Sequence, residues 1–111
     1  MKKLTFFDGK FFDGKKIVEN VIPKSEPFII KISLENTVRD VPPEKQADPM
    51  PKMKELFAKK MEEHATGEVN SFIAGPYQFF ITEPIKGPSR KYGYVKASEI
   101  IFYIPVQLYK I

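Results

Sequence analysis

Two identical pentapeptides stand back to back near the start of the chain, Phe6-Phe7-Asp8-Gly9-Lys10 and Phe11-Phe12-Asp13-Gly14-Lys15. Asp-Gly between apolar runs predicts a two-residue hairpin turn, because glycine accepts the positive φ that such turns need. Two turns only five residues apart leave little room for the strands between them. We therefore expect one Asp-Gly pair to close a hairpin and the other to form a bulge or the edge of a loop.

Apolar and β-branched segments, separated by stretches that contain proline and glycine, predict further strands. In chain order they cover residues 17–22, 28–34, 69–74, 77–82, 94–95 and 99–108. Residues 35–51 are polar and rich in proline, which indicates an irregular connection. Gly75-Pro76 fits either a turn between two strands or a bulge within one long edge strand.

One helix is predicted over about residues 50–65. Its apolar positions fall at helical spacing on one face: Met53, Leu56, Phe57, Met61 and Ala65. Asp48 is the expected N-cap, because its side chain can accept a hydrogen bond from a free N–H of the first turn.

This order places one helix between the third and fourth of about five strands, which is an α+β arrangement. It is the order of the oligonucleotide-binding (OB) barrel, and a small antiparallel sheet with a helix across one face would give the same pattern. A chain of 111 residues is the size of one domain, so residues 1–111 are expected to fold as a single domain. The C-terminal strand is expected to have a free edge.

Several kinds of chemistry are excluded by residue type. The chain has no cysteine, which excludes disulfides, thiolate metal sites and a thiol nucleophile. His64 is the only histidine, so no His-rich metal site can form, and we expect a structural role for it. No serine has the Gly-x-Ser-x-Gly spacing of a nucleophile elbow. We therefore predict a non-catalytic protein with no cofactor and no bound metal.

The sequence also bears on location. No apolar run approaches the roughly 18 residues that a membrane span requires, and the apolar start is too short for a signal peptide. We expect a cytoplasmic protein that does not associate with membranes.

The stretch Lys86-Gly87-Pro88-Ser89-Arg90-Lys91-Tyr92-Gly93-Tyr94 joins cations and aromatic rings between the last two main strands. Cations bind phosphates and aromatic faces stack on bases, although a solvated loop would have a similar composition. The net charge is +4, and lysine far outnumbers arginine, which favours contacts with the phosphate backbone over bidentate base recognition. We therefore predict single-stranded nucleic-acid binding by the following residues: Lys10, Lys15, Lys86, Arg90, Lys91 and Lys96 as cations, and Phe11, Tyr92 and Tyr94 as stacking rings.

Phenylalanine pairs recur at Phe6-Phe7, Phe11-Phe12 and Phe79-Phe80. Neighbouring residues of a strand point to opposite faces, so each pair places one ring on each face of the sheet. A single helix covers little of a five-stranded sheet, and an uncovered aromatic patch suits base stacking and protein contact equally well. The alternative prediction is therefore a protein-interaction module, such as a homodimeric accessory or inhibitor protein, that uses this Phe-rich face and the C-terminal edge strand.

Overall fold

The computed structural model describes residues 1–38, 48–82, 85–86 and 96–111. Nine strands and one helix lie in this part of the chain. In chain order they are β1 (Lys2–Phe7), β2 (Lys10–Asp13), β3 (Lys16–Val18), β4 (Ile22–Pro23), β5 (Phe28–Val38), α1 (Met50–Glu63), β6 (Ser71–Ala74), β7 (Gln78–Ile81), β8 (Ile85–Lys86) and β9 (Lys96–Lys110). The small α+β class is confirmed, but the helix follows the fifth strand and not the third.

Both Asp-Gly pairs close hairpins, so the expected bulge or loop edge is wrong. Asp8 and Gly9 have φ angles of 51° and 74° and connect β1 to β2, as in a type I′ turn. In the second turn Asp13 already belongs to β2, and Gly14, with a φ of 63°, is the first of the two connecting residues. This one-residue shift leaves four residues for β2. Strand β2 and the division of the predicted strand 17–22 into β3 and β4 add two strands before the helix.

Strand β9 lies in the centre of the sheet and not at an edge. Strands β4 and β5 pair with one side of it, and β6, β7 and β8 follow one another along its other side. The expectation of a free C-terminal edge is therefore wrong, because other strands occupy both rows of its backbone hydrogen-bonding groups. The curled sheet continues through β1, β2 and β3, and it is antiparallel except where β1 runs parallel to β6.

Pro105 lies within β9, where a missing N–H would normally interrupt the hydrogen-bonded ladder. The facing strand bulges at the same point, since residues 75–77 lie opposite residues 104–105. Gly75 donates its N–H to the Pro105 carbonyl at 2.8 Å, and a Cβ on Gly75 would lie 3.0 Å from Cγ of Pro105. Gly75-Pro76 is therefore a bulge in one long, interrupted strand, which is one of the two options that the sequence left open.

The main core lies between α1 and one face of the sheet. Alternate residues of β9 point to this face and are buried: Ile100, Phe102, Ile104, Val106 and Leu108. Met53 and Met61 of the helix are buried against them, and the Phe57 ring meets Phe72 edge-on at 5.7 Å. Ala65, predicted on the apolar face, is exposed because α1 ends at Glu63.

A smaller cluster on the opposite face attaches the β1–β3 hairpins to the main sheet. Leu4 is 1% exposed, and the Phe11 ring contacts Phe6 at 4.9 Å and Tyr109 at 5.4 Å between centroids. Burial raises the pKa of Tyr109 above its usual value. The hairpins are thus packed onto the C-terminal end of β9.

Candidate functional site

The predicted basic loop lies between strands β8 and β9, which pair with each other. The backbones of Lys86 in β8 and Lys96 in β9 are direct partners at the end of their ladder. The loop's other predicted ligand residues lie outside the described part of the chain: Arg90, Lys91, Tyr92 and Tyr94. Their role in binding stays a prediction.

Lys10, Lys15 and Phe11 lie together on the β1–β3 hairpins. Lys10 begins β2 and Lys15 lies in the turn that follows, and both are exposed. Phe11 is partly buried, because its ring packs between Phe6 and Tyr109. Phe11 therefore helps to hold the hairpins in place and offers less ring surface for stacking than we expected.

The predicted residues form two groups at opposite ends of β9. Phe11 contacts Tyr109, whereas Lys96 begins the strand thirteen residues earlier. At about 3.3 Å per residue, the two groups are roughly 40 Å apart along the strand. One small ligand cannot touch both groups. Only the group at the hairpin end lies wholly within the described residues.

The hairpin end carries two exposed phenylalanine rings that are not among the predicted binding residues. Phe6 is 56% exposed and Phe7 is 74% exposed, and they point to opposite faces of β1. The same hairpins carry exposed lysines, and we call the whole set the hairpin surface: Lys2, Lys3, Phe6, Phe7, Lys10, Lys15 and Lys16. Both rings belong to a phenylalanine pair that was expected to place one ring on each face of the sheet.

Acidic groups neutralise only part of this charge. Lys2 lies 3.4 Å from Asp13, and the other carboxylate of the two turns is Asp8. The five lysines of the hairpin surface therefore exceed the carboxylates of the same hairpins. Such a surface attracts polyanions at a distance and holds them near the exposed rings.

Strand β7 presents a second aromatic surface with different surroundings. Phe79, Phe80 and Ile81 are 54%, 57% and 62% exposed, and Tyr77 beside them is exposed as well. Residues 75–82 contain no charged side chain. No strand of the described residues pairs with β7 on the side away from β9. We call this open side the β7 edge.

An acidic side chain joins two lysines near the same end of the sheet as the hairpin surface. Glu68 lies 3.2 Å from Nζ of Lys24 and 3.5 Å from Nζ of Lys110. The hydrogen bond from Lys24 and the charge of Lys110 hold the pKa of Glu68 below its usual value. The single negative charge of Glu68 offsets one of the two positive charges that would otherwise extend the positive surface.

Possible metal ligands do not converge within the described ranges. No set of three His, Asp or Glu residues there could hold a metal ion. His64 packs against the Phe28 ring at 5.3 Å, as a structural histidine would. No helix in the described part is long and apolar enough to cross a membrane.

Comparison with known proteins gave no match to a family model, to a curated protein or to a solved structure. The hairpin surface and the β7 edge are therefore the two features from which we infer function.

Proposed function

We propose that this protein is a non-catalytic binding module for single-stranded nucleic acid and that the hairpin surface is the described part of its site. The observation that carries the proposal is that hairpins with five exposed lysines also expose Phe6 and Phe7, and that Lys10 is the cross-strand partner of Phe7. Lysines attract the phosphate backbone, and exposed rings stack on unpaired bases whatever their sequence.

Recognition of this kind depends on charge and shows little base preference. Lysine is a point charge on a flexible chain, so it follows phosphates without reading base edges. If four lysines each neutralise one phosphate, affinity falls about 50-fold between 50 and 200 mM salt. Stacking on Phe7 adds a contribution that salt does not remove.

Lys86 and Lys96 with the loop between them form a second contact region in this proposal. The two regions are roughly 40 Å apart along β9, so only a long oligonucleotide that follows the sheet would reach both. Affinity should therefore rise with oligonucleotide length more steeply than one surface alone predicts.

An OB-like arrangement of the sheet is also part of the proposal. A curled, largely antiparallel sheet with a single helix in the described residues is consistent with it. The helix position after the fifth strand differs from the OB order. The proposed site therefore depends on the hairpin surface and not on that analogy.

Fluorescence anisotropy of a labelled single-stranded oligonucleotide, titrated with the full chain, tests the proposal. We expect micromolar or tighter binding at 50 mM salt, with a steep loss at 200 mM. Duplex DNA of equal length should bind less tightly, because its bases are not free to stack. No binding at 50 mM salt would contradict the proposal.

A protein-contact role is the second candidate function, and the β7 edge favours it. An exposed apolar strand edge without charged residues resembles a protein interface core more closely than a phosphate site. The two roles use different surfaces and are compatible with each other.

A further inference from the structure

The β7 edge lacks the protection that the other long open edge of the sheet has. On β5, α1 packs over one face, where Ile30 and Ile32 are buried, and Lys31 is exposed on the other face. A covering helix and an edge lysine both prevent pairing with another chain. In the described part of the chain, β7 has neither.

The backbone groups of Phe79 and Ile81 point away from β9. Thr82 donates its N–H to the Glu99 carbonyl at 2.8 Å, which shows that the backbone of Thr82 faces β9. Because this direction alternates along a strand, Phe80 faces β9 as well, whereas Phe79 and Ile81 face outward. Each β7 therefore offers two N–H donors and two carbonyl acceptors at its open side.

We propose that β7 pairs antiparallel with β7 of a second copy of this chain, about a two-fold axis that passes between the two Phe80 residues. This pairing gives the second candidate function a partner and is independent of nucleic-acid binding. Phe79 then lies opposite Ile81 of the second copy, and the two residues exchange both backbone hydrogen bonds. The two Phe80 rings meet on the other face of the joined sheet.

The alternation of side chains along β7 favours this register over the registers that are shifted by one residue. A shift of one residue would set Phe79 opposite Phe80, although their side chains point to opposite faces of the sheet. The proposed register also keeps the pairing within residues 78–82, clear of the bulge at residues 75–77. It joins apolar side chains to apolar side chains on both faces.

The exposed area indicates a weak dimer. A half-exposed aromatic or Ile side chain can bury on the order of 100 Å². Tyr77, Phe79, Phe80 and Ile81 of two copies would together bury on the order of 800 Å², below the roughly 1,200–2,000 Å² of stable complexes. We expect a dissociation constant on the order of 10–100 µM.

Sedimentation equilibrium of the full chain from 1 to 500 µM tests the proposal. The mass should rise from 12.8 kDa towards twice that value with increasing concentration. Phe80→Lys and Phe80→Glu each place like charges opposite one another at the axis, so each variant should associate at least tenfold more weakly. An equimolar mixture of the two variants should restore the dimer, because opposite charges then face each other.

Ile29→Lys is the matched control, since Ile29 is 56% exposed on the β5 edge. It should leave the association unchanged. A chain that stays monomeric at 500 µM, or a dimer that survives Phe80→Lys, would overturn the proposal. Thermal unfolding of each variant verifies that these exposed substitutions leave the fold intact.

Cross-linking tests the register itself. The chain has no cysteine, and Cα atoms of a directly opposed antiparallel pair are close enough for a disulfide. Phe80→Cys should therefore oxidise to a covalent dimer at least tenfold faster than Ile81→Cys, whose opposite residue is Phe79. Equal rates would overturn the register. Oligonucleotide binding by the wild-type chain below 1 µM, where it is monomeric, is unaffected by either result and tests the nucleic-acid proposal separately.

Discussion

Two pairs of adjacent phenylalanines, Phe6-Phe7 and Phe79-Phe80, are about equally exposed, but their electrostatic surroundings differ. The first pair lies on hairpins that carry five exposed lysines. The second lies on the open side of a strand in an uncharged segment, residues 75–82. The rings alone do not specify a ligand, because stacking on bases and packing against protein use the same apolar surface. The neighbouring charges distinguish the two surfaces.

Removing three lysines of the hairpin surface should have the largest effect, which is on oligonucleotide affinity. The change is Lys10→Gln, Lys15→Gln and Lys16→Gln together. Loss of three phosphate contacts should weaken oligonucleotide binding about 30-fold at 50 mM salt and reduce the slope of log affinity against log salt by about two. Anisotropy titrations at several salt concentrations measure both quantities.

The control for this variant removes three charges from the exposed side of α1: Lys52→Gln, Lys54→Gln and Lys59→Gln. We expect less than a threefold change in affinity. An equal loss in both variants would mean that binding follows net charge and that the hairpin surface is not a site.

Truncating one ring of each pair tests whether the two aromatic surfaces bind different partners. Phe7→Ala should weaken oligonucleotide binding about tenfold, since stacking contributes roughly 1–3 kcal/mol per base. Phe79→Ala should leave that affinity unchanged and should weaken self-association instead. Anisotropy measures the oligonucleotide affinity of each variant, and sedimentation measures its self-association. If both variants lost both properties equally, the two surfaces would not have separate functions.

Adding a methyl group at Gly75, which lies close to the Pro105 ring, should have a moderate effect on stability. In Gly75→Ala the new Cβ would lie 3.0 Å from Cγ of Pro105, and that rigid ring belongs to the central strand. We expect a loss of about 1 kcal/mol in the free energy of unfolding, measured by denaturant titration. Pro105→Ala in the same chain should recover part of this loss, and unchanged stability in Gly75→Ala would show that the ring moves aside.

Glu68→Gln should have the smallest effect, at the hairpin end of the sheet. The negative charge that Glu68 places beside Lys24 and Lys110 would be lost, so oligonucleotide affinity at 50 mM salt should rise about twofold. The folded-state pKa of Glu68 is lowered, so its contribution to stability is present above its usual value of 4.5 and is lost as pH falls through the folded-state value. Unfolding curves of wild type and variant should therefore differ near pH 6 and converge in acid.

Local patterns predicted the helix well. The spacing of Met53 and Met61 placed both on the buried face, and both are buried. The predicted N-cap is wrong, since Pro49 and not Asp48 is the N-cap residue, although Oδ1 of Asp48 accepts a hydrogen bond from the Met50 N–H at 3.0 Å. Helix position and helix face depend on residues within a few turns of one another, which a sequence pattern represents directly.

The candidate site was predicted less completely. Lys10 and Lys15 are exposed as expected, but Phe11 is partly covered by Tyr109, which lies almost a hundred residues further along the chain. No local pattern contains that contact. Exposure of Phe6 and Phe7 likewise depends on where the hairpins attach to the main sheet.

Local sequence dictates the helix, the glycine-dependent turn at Gly9 and the alternation of side chains along β9. These features follow from backbone conformation and side-chain period over a few residues. Tertiary pairing assigned the central position to β9 and an open edge to β7. As a result Phe102 is 2% exposed while its register partner Phe79 is 54% exposed. Segments distant in the chain must pair before a strand has two neighbours, and local sequence does not show which segments will do so.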